Sequence, residues 1–309
     1  MVEVHDVTDR ARGLVEGGYD IHVHTGPDVM KRKIDDISLA KRFAELKMGG
    51  FVIKSHYTPT AERAALARQI VPEVDAKGAI TLNGSVGGLN AMAIEILARG
   101  GGQYVWFPTV DSRNERASVA RAPEGAKPPM WFHIQQDLKA KGIQSPTVEL
   151  FDEAGKPLPD LLDVLDVIAT HDLTLATGHI SGEESRLLVP LAKERGVKRI
   201  VVTHPEFTSQ RISVDIQKEL AAAGALLERC VTTPMTGKVD WDVWLNNMRE
   251  CGVENSVAGS DLGQPFNPPI EDGLAIIADV MLDNGFTEDE IRTVTVKNTR
   301  FAAGAEPLS

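Results

Sequence analysis

The sequence is poor in cysteine and contains no long apolar run. Only Cys230 and Cys251 occur in 309 residues, too few for the disulfide framework of a small secreted domain. No apolar stretch approaches the roughly 20 residues that a helix needs to cross a bilayer. The first residues, Met1-Val2-Glu3-Val4-His5-Asp6, lack the basic and apolar blocks of a signal peptide. We therefore expect a cytoplasmic protein with reduced thiols.

Positive charge is also scarce. Lysine and arginine total 33 against 44 aspartates and glutamates, which gives a formal net charge of −11 at pH 7. Because attraction to nucleic acid or to anionic membranes requires basic patches, we expect neither partner. With 42% hydrophobic residues, the chain can bury one large core. The expected partner is a small molecule, with association into a homo-oligomer left open.

Short β-branched runs alternate with longer segments of helical period. This alternation is typical of βα units and a parallel sheet. The predicted strands are residues 19–24, 50–56, 79–84, 103–109, 174–179, 199–204, 225–230 and 255–260. The predicted helices are residues 37–47, 61–71, 89–99, 161–170, 183–195, 214–223 and 239–251. The pattern predicts an α/β fold, a (β/α)8 TIM barrel, with a doubly wound open sheet as the alternative.

Polar residues gather at one end of the predicted strands. Those at or just past a C-terminal strand end are His24, His56, Asn83, Asp111, His179, His204, Glu228 and Asp261. Barrel enzymes build their active sites at that end. The placement therefore favours the barrel and predicts a functional site at its C-terminal mouth.

The connection after the fourth predicted strand is far longer than a usual βα loop. We interpret residues 112–159, approximately, as a lid-like insertion. Its first part mixes basic and aromatic side chains, and residues 148–158 read as a small hairpin with a glycine turn. No repeat or linker is evident elsewhere, so we predict a single barrel domain over residues 1–309 that carries one insertion.

A pair of histidines lies at the end of the first predicted strand. Side chains alternate along a strand, so His22 and His24 point to the same side and could bind one metal ion. His179 and His204 end the fifth and sixth strands, and Asp261 follows the eighth. A lone strand-end histidine is more often structural. Together, however, these residues match the three or more imidazoles or carboxylates that a divalent transition ion requires.

This set of motifs resembles the amidohydrolase superfamily of metal-dependent TIM-barrel hydrolases, as a poorly characterised branch. Members have a His-x-His pair on strand one, lysine or glutamate on strand four, single histidines on strands five and six, and aspartate on strand eight. The match runs from Tyr19 to about Ala303. The metal-site residues that the resemblance implies are His22, His24, His179, His204 and Asp261.

Strand four departs from the family pattern. Its residues Tyr104-Val105-Trp106-Phe107-Pro108-Thr109 include neither lysine nor glutamate to bridge two ions. Asp111 and a carbamylated Lys54 are candidate substitutes, whereas an unmodified Lys54 would neutralise carboxylates or hold an anionic substrate. We therefore expect one divalent metal ion, Zn2+, with Mn2+ or Fe2+ as alternatives, and leave a second ion open.

The resemblance also implies catalytic roles. A bound divalent ion lowers the pKa of a water from about 15.7 towards about 7. In the family the strand-eight aspartate takes the proton, which makes Asp261 the predicted general base. His179 is predicted to polarise the scissile carbonyl or to complete the metal shell. The candidate substrate-binding residues are Lys54, His56, Asn83, Arg113 and Glu228.

Some of these candidates have alternative roles. His56 would contact the substrate or serve as a further metal ligand. Glu228 would orient a ligand histidine from behind or pair with Arg229. Asn83 begins a glycine-rich turn that either binds an anion or only satisfies backbone geometry. Arg113 would clamp a carboxylate or remain solvated.

The leading functional prediction is a metal-dependent hydrolase acting on an amide, linear or cyclic, or on a lactone of a small anionic metabolite. A nonhydrolytic metal-dependent decarboxylase is one alternative, because related barrels use a similar one-metal site for C–C cleavage. A phosphoesterase of the polymerase and histidinol phosphatase type is another, although its trinuclear site needs more ligands than this chain shows. A metal-stabilised binding protein is the nonenzymatic alternative, and the presence of Asp261 argues against it.

Overall fold

The computed structural model of the protein describes residues 7–121 and 128–308. Eight parallel strands pair in chain order. They are β1 Tyr19–Val23, β2 Gly50–Ile53, β3 Asp75–Thr81, β4 Gly102–Trp106, β5 Thr174–Ala176, β6 Arg199–Val202, β7 Leu226–Cys230 and β8 Ser256–Gly259. The chain after β8 returns to β1: the Asp261 N–H donates to the His22 carbonyl and the His24 N–H to the Leu262 carbonyl, both at 2.8 Å. Helices follow the strands, and the predicted (β/α)8 barrel is confirmed.

Helices connect and flank the strands of this barrel. In chain order they are α1 Asp9–Val15, α2 Asp36–Glu45, α3 Ala61–Ile70, α4 Ala91–Arg99, α5 Arg113–Ala120, α6 Met130–Ala140, α7 Pro159–Thr170, α8 Gly182–Glu194, α9 Val214–Ala222, α10 Thr232–Met235, α11 Trp241–Cys251, α12 Gly273–Asp283, α13 Glu288–Arg292 and α14 Asn298–Ala302. Side-chain caps determine where several begin; α8 starts at a capping box between Ser181 and Glu184. Within the described ranges, no helix combines the length and hydrophobicity of a membrane span.

The barrel interior is filled mainly by apolar and aromatic side chains. Tyr104 and Trp106 of β4 are fully buried, with ring centroids 4.5 Å apart. The Trp106 ring also lies 5.4 Å from that of His22. Two further buried clusters pack the outer face of the barrel against the helices. These aromatic rings therefore form a tightly packed layer beneath the C-terminal mouth.

The third strand differs from its prediction. We expected residues 79–84, whereas β3 spans Asp75–Thr81 because its first three residues pair with Gly50, Phe51 and Val52 of β2. The strand therefore ends before Asn83, and residues 84–86 form a short 3-10 turn. Backbone pairing with a buried neighbour outweighs the polar character of the segment at 75–77.

The insertion also contains more regular structure than its sequence indicates. Two helices, α5 and α6, lie in the part that mixes basic and aromatic residues, and the predicted hairpin is one antiparallel bridge between Phe151 and Pro157. Ser112 and Asn114 donate to the His179 carbonyl at 3.0 and 3.1 Å, which ties the insertion to the mouth of the barrel. Residues 122–127 of the insertion, and residues 1–6 to which the signal-peptide expectation refers, lie outside the described residues.

Candidate functional site

Five histidine rings form a closed circuit at the C-terminal mouth. Neighbouring ring centroids are 5.4 Å apart for His22 and His24, 5.3 Å for His24 and His56, and 6.2 Å for His56 and His179. The circuit closes through His204, which lies 4.9 Å from His179 and 5.8 Å from His22. All five are buried, with at most 8% exposure. The structure thus brings together histidines from four different strand ends.

Asp261 joins this circuit from the end of β8. Its Oδ1 lies 3.3 Å from His22 Nε2 and 3.1 Å from His24 Nε2. Its Oδ2 accepts a hydrogen bond from the Thr232 hydroxyl at 3.1 Å. Burial by itself raises the pKa of Asp261, whereas positive charge at the adjacent His22 and His24 lowers it well below its usual value. A cation at this place therefore keeps Asp261 a carboxylate at neutral pH.

Unusual backbone geometry places several of these residues. β1 carries one extra residue relative to β2 in the segment that includes His22, the kind of bulge that re-aims side chains near active sites. His204 has a φ of +23° and Asp261 a φ of +53°, values that non-glycine residues rarely adopt. Gly178, before His179, has a φ of +64°, and a Cβ there would lie 2.2 Å from the Phe107 carbonyl oxygen. Only glycine fits that position.

Three of the histidines have an oxygen atom beside Nδ1. The contacts are His22 with Glu228 Oε1 at 3.0 Å, His24 with the Lys54 carbonyl at 3.1 Å, and His179 with Glu115 Oε2 at 3.1 Å. For His22 and His24 the oxygen accepts a hydrogen bond, which requires the ring proton on Nδ1; His179 Nδ1 lies near Glu115 but makes no hydrogen bond to any described residue. In the neutral rings of His22 and His24, Nε2 therefore carries a lone pair, which is the tautomer that a metal ligand needs.

The result is a cluster of acceptor atoms with too few protons. The lone pairs on Nε2 of His22 and His24 face Asp261 Oδ1 within 3.3 Å. Lys54 Nζ, 3.0 Å from His22 Nε2, provides one donor. Acceptors that face each other without a proton repel, and a cation between them relieves this repulsion. His22, His24 and Asp261 could therefore hold a metal ion, and their chemistry fits a divalent one.

Glu228 lies behind the histidines and does not line the cavity. It is fully buried; Oε1 contacts His22 Nδ1, and Oε2 accepts from the backbone N–H of His204 at 3.1 Å. Arg229 projects from β7 to a different environment, where it pairs with Glu206. Of the two sequence-based alternatives for Glu228, the structure therefore shows contact with a histidine and not pairing with Arg229.

Replacing Glu228 with glutamine is expected to weaken zinc binding about 10- to 100-fold. Both carboxylate oxygens accept from an N–H group, and glutamine keeps only one acceptor, so either His22 or His204 would face an amide NH₂. A competition titration against a chromophoric chelator would measure this affinity. Glu219→Gln, at a surface residue that pairs with Arg186, is the matched control. Equal zinc affinity in Glu228→Gln and wild type would contradict the positioning role.

Lys54 and His56 enter the site from the end of β2. Lys54 Nζ lies 5.1 Å above the Trp106 ring. Burial lowers the pKa of Lys54, while Asp261 and Glu228 oppose this effect. Burial also lowers the pKa of His56 well below its usual value, so this ring is neutral at pH 7. β2 thus supplies the buried lysine at this mouth, whereas β4 supplies an aromatic ring.

Three other residues singled out in the sequence lie away from the cavity. Arg113 has a side chain that is 60% exposed and faces acidic surface residues. Asn83 is fully buried behind His56. Asp111 accepts hydrogen bonds from side chains of the insertion. Among the described residues, none of these three forms part of the cavity wall.

A cavity of about 930 Å³ opens above the histidine circuit. The described cationic residues that line it are Arg32, Lys54, Arg121, Arg211 and Lys238, and the described carboxylates are Glu115 and Asp261. This excess of positive charge contrasts with the net charge of −11 for the whole chain. A concave site of this kind concentrates anions.

Arg32 and Glu115 were missed by the sequence analysis. Arg32 lies in the connection between β1 and α2, and its side chain is 3% exposed; Glu115 lies on α5 of the insertion and is 4% exposed. Neither residue lies at the C-terminal end of a predicted strand, the position that identifies candidate site residues in the sequence. Closeness in sequence to His24 was a usable signal for Arg32, whereas no local signal pointed to Glu115.

The sequence and the fold were compared with known proteins. The model of a family of unknown function, DUF6282, matches residues 17–228. No curated protein matches the chain. A similar solved structure is a probable 2-pyrone-4,6-dicarboxylic acid hydrolase from Acinetobacter baumannii with citric acid bound, 13% identical, with a TM-score of 0.54 over 93% of this chain and 99% of that chain.

Other similar structures have equally low identity. An amidohydrolase from Pseudomonas aeruginosa is 9% identical, with a TM-score of 0.60 over 96% of this chain and 98% of that chain. A TatD homologue from Escherichia coli K12 is 13% identical, with a TM-score of 0.55 over 94% of this chain and 100% of that chain. These likenesses confirm, at the level of the fold, the resemblance to the amidohydrolase superfamily. The chain belongs to the DUF6282 family, and its fold is a (β/α)8 barrel.

Proposed function

We propose that the protein is a metal-dependent hydrolase that cleaves an amide bond, linear or cyclic, or a lactone bond of a small anionic metabolite. The observation that carries the proposal is the convergence of His22 Nε2, His24 Nε2 and Asp261 Oδ1 at the edge of a cavity. The similar structures named as an amidohydrolase and as a probable 2-pyrone-4,6-dicarboxylic acid hydrolase support the reaction class.

One divalent ion would be held by His22, His24 and Asp261, with His179 and His204 available to complete the shell. Neutral imidazoles and a carboxylate suit zinc, with manganese or iron as alternatives. When bound, such an ion supplies a water of lowered pKa and polarises a carbonyl oxygen. Both ligand-type groups found among the described residues include His22, which supports one ion rather than the three of the phosphoesterase alternative.

Asp261 would accept the proton of the attacking water and return it to the leaving group. As an ionised carboxylate it can accept a proton, and the hydrogen bond from Thr232 fixes its second oxygen. His179 would polarise the substrate carbonyl or bind the ion, and Glu115 Oε2 lies 3.1 Å from the Nδ1 atom of its ring. Asp261 would thus act as the base, and a different residue, His179, would polarise the carbonyl that is attacked.

The charges of the cavity support an anionic substrate. Arg32, Lys54 and Lys238 line it, and Lys54 Nζ lies 3.0 Å from His22 Nε2 in the histidine circuit. Lys238 Nζ lies 4.9 Å above the Phe207 ring, so the cavity wall presents both a cation and an aromatic face. The carboxylate of an anionic substrate would meet the cation, and its ring or amide would pack on the aromatic face.

The proposal is tested by screening zinc-loaded protein against lactones and amides that carry a carboxylate, each paired with an uncharged analogue. We expect turnover of at least one carboxylated compound and slower turnover of its uncharged analogue. Release of carbon dioxide from a carboxylic acid, without hydrolysis of any amide or lactone, would replace the proposal with the nonhydrolytic decarboxylase. Phosphate release together with about three metal ions per chain would replace it with the phosphoesterase.

A further inference from the structure

We infer that His56 and Arg32 form a carboxylate-binding subsite beside the metal centre, in which His56 donates a hydrogen bond from Nε2 and does not bind the ion. The inference deepens the proposed function, on which it rests in identifying the bound carboxylate as part of the substrate. Two observations support it. One is the direction of the hydrogen bonds that Asn83 and Thr109 make with His56, and the other is the environment of the Arg32 side chain.

The first step is the orientation of the Asn83 amide. Its Oδ1 accepts from the backbone N–H groups of Thr109 at 2.9 Å and Asp111 at 3.2 Å. A reversed amide would place the NH₂ group against two N–H donors, so this orientation is the only one that satisfies them. Asn83 Nδ2 therefore donates to the His56 carbonyl at 2.9 Å and to Thr109 Oγ1 at 2.8 Å.

The second step is the proton of the Thr109 hydroxyl. Thr109 Oγ1 already accepts from Asn83 and has one proton to donate. In the described part of the chain, the acceptor within reach is His56 Nδ1, at 2.9 Å. A neutral imidazole that accepts at Nδ1 carries its proton on Nε2. This is the opposite tautomer from that of His22 and His24, whose Nδ1 atoms donate to oxygen atoms.

An imidazole with a proton on Nε2 donates to an anion and has no lone pair there for a metal ion. His56 lines the cavity and is 8% exposed. Its ring lies between those of His24 and His179, at 5.3 and 6.2 Å. The donor is therefore presented beside the predicted metal ligands, at the position where a substituent of a bound substrate would lie.

Arg32 supplies the positive charge of this subsite. Its side chain lines the cavity and is only 3% exposed. Nε donates to Asp28 Oδ2 at 2.8 Å, and Nη2 lies 2.7 Å from the same oxygen. Asp28 thus fixes one edge of the guanidinium, while Nη1 donates to no residue of the described ranges. A held guanidinium with unused N–H groups is suited to a carboxylate.

The tautomer is measured by two-bond ¹H–¹⁵N correlation NMR on protein labelled with ¹⁵N-histidine, in which Nδ1–H and Nε2–H rings give different patterns. We expect the Nε2–H pattern for His56, assigned through its loss in His56→Gln. Thr109→Val keeps the shape of the side chain and removes the hydroxyl, so it should abolish this preference, whereas Thr109→Ser should keep it. A wild-type His56 protonated on Nδ1 would overturn the inference.

The subsite is measured by calorimetric titration of glutarate into zinc-loaded and metal-free protein. We expect the Kd to rise at least about 10-fold in both His56→Gln and Arg32→Gln, with zinc content unchanged. Glutaramide, which has the same length and no charge, should bind weakly to every variant. Arg113→Gln removes a surface arginine outside the cavity and should leave the glutarate Kd unchanged.

The outcomes separate this inference from the proposed function. Unchanged glutarate affinity in His56→Gln and Arg32→Gln overturns the subsite but leaves the metal centre standing. Loss of zinc in His56→Gln makes His56 a metal ligand and also overturns the inference. If wild-type protein binds no zinc, the proposed function fails, and the titration of metal-free protein still decides whether His56 and Arg32 bind a carboxylate. Thr109→Val, which alters neither binding residue, provides a second test if His56→Gln does not fold.

Discussion

Replacing Asp261 with asparagine is expected to lower kcat by about 10²- to 10⁴-fold on whichever substrate the screen identifies. Asparagine keeps an oxygen where Asp261 Oδ1 lies between His22 and His24, so it can still face a metal ion. It cannot take a proton from water at neutral pH. The zinc content should therefore stay near that of wild type while turnover collapses. Steady-state kinetics and elemental mass spectrometry on the same preparation measure both quantities.

Asp137→Asn is the matched control for this change. Asp137 is an exposed carboxylate that pairs with Lys141 on α6, and its replacement should change neither kcat nor zinc content. If Asp261→Asn lost zinc and folded structure together, Asp261 would be mainly a structural ligand. If the variant kept wild-type kcat, another group would have to be the general base.

Replacing His22 with alanine is expected to remove the bound metal and all activity that depends on it. His22 occurs in both ligand-type groups found among the described residues, and its ring joins Glu228 on one side to Asp261 on the other. Elemental mass spectrometry on tag-free protein purified without added metal should find about one ion per chain in wild type. In His22→Ala we expect the content to fall near zero.

His133→Ala serves as the control, because His133 is exposed on α6 and lies outside the histidine circuit. It should retain the wild-type metal content. Metal retained in His22→Ala would mean that the ion is held elsewhere and that the geometry around Asp261 was misinterpreted. Two ions per wild-type chain would contradict the expectation of a single ion and would direct attention to Lys54.

Much of the fold was predictable from sequence, and so was the convergence of the residues of the candidate metal site. The alternation of apolar runs and helical periods repeats along the chain, and each repeat is a local property of about 30 residues. Parallel strands of a closed barrel all end at the same mouth, so His24, His179, His204 and Asp261 were expected to meet once the strands were recognised. Errors of a few residues in strand limits, as for β3, did not change this conclusion.

Only the tertiary structure decided which polar residues face the cavity. It also decided which ring nitrogen of each histidine has a hydrogen-bond partner. Arg113 and Arg32 look equivalent in sequence, yet one lies on the surface and the other is buried in the cavity wall. The tautomer inferred for His56 depends on Thr109 and Asn83, which are distant in the chain. A hydrogen bond is short and directional, so its partner is determined by how elements pack and not by the local pattern.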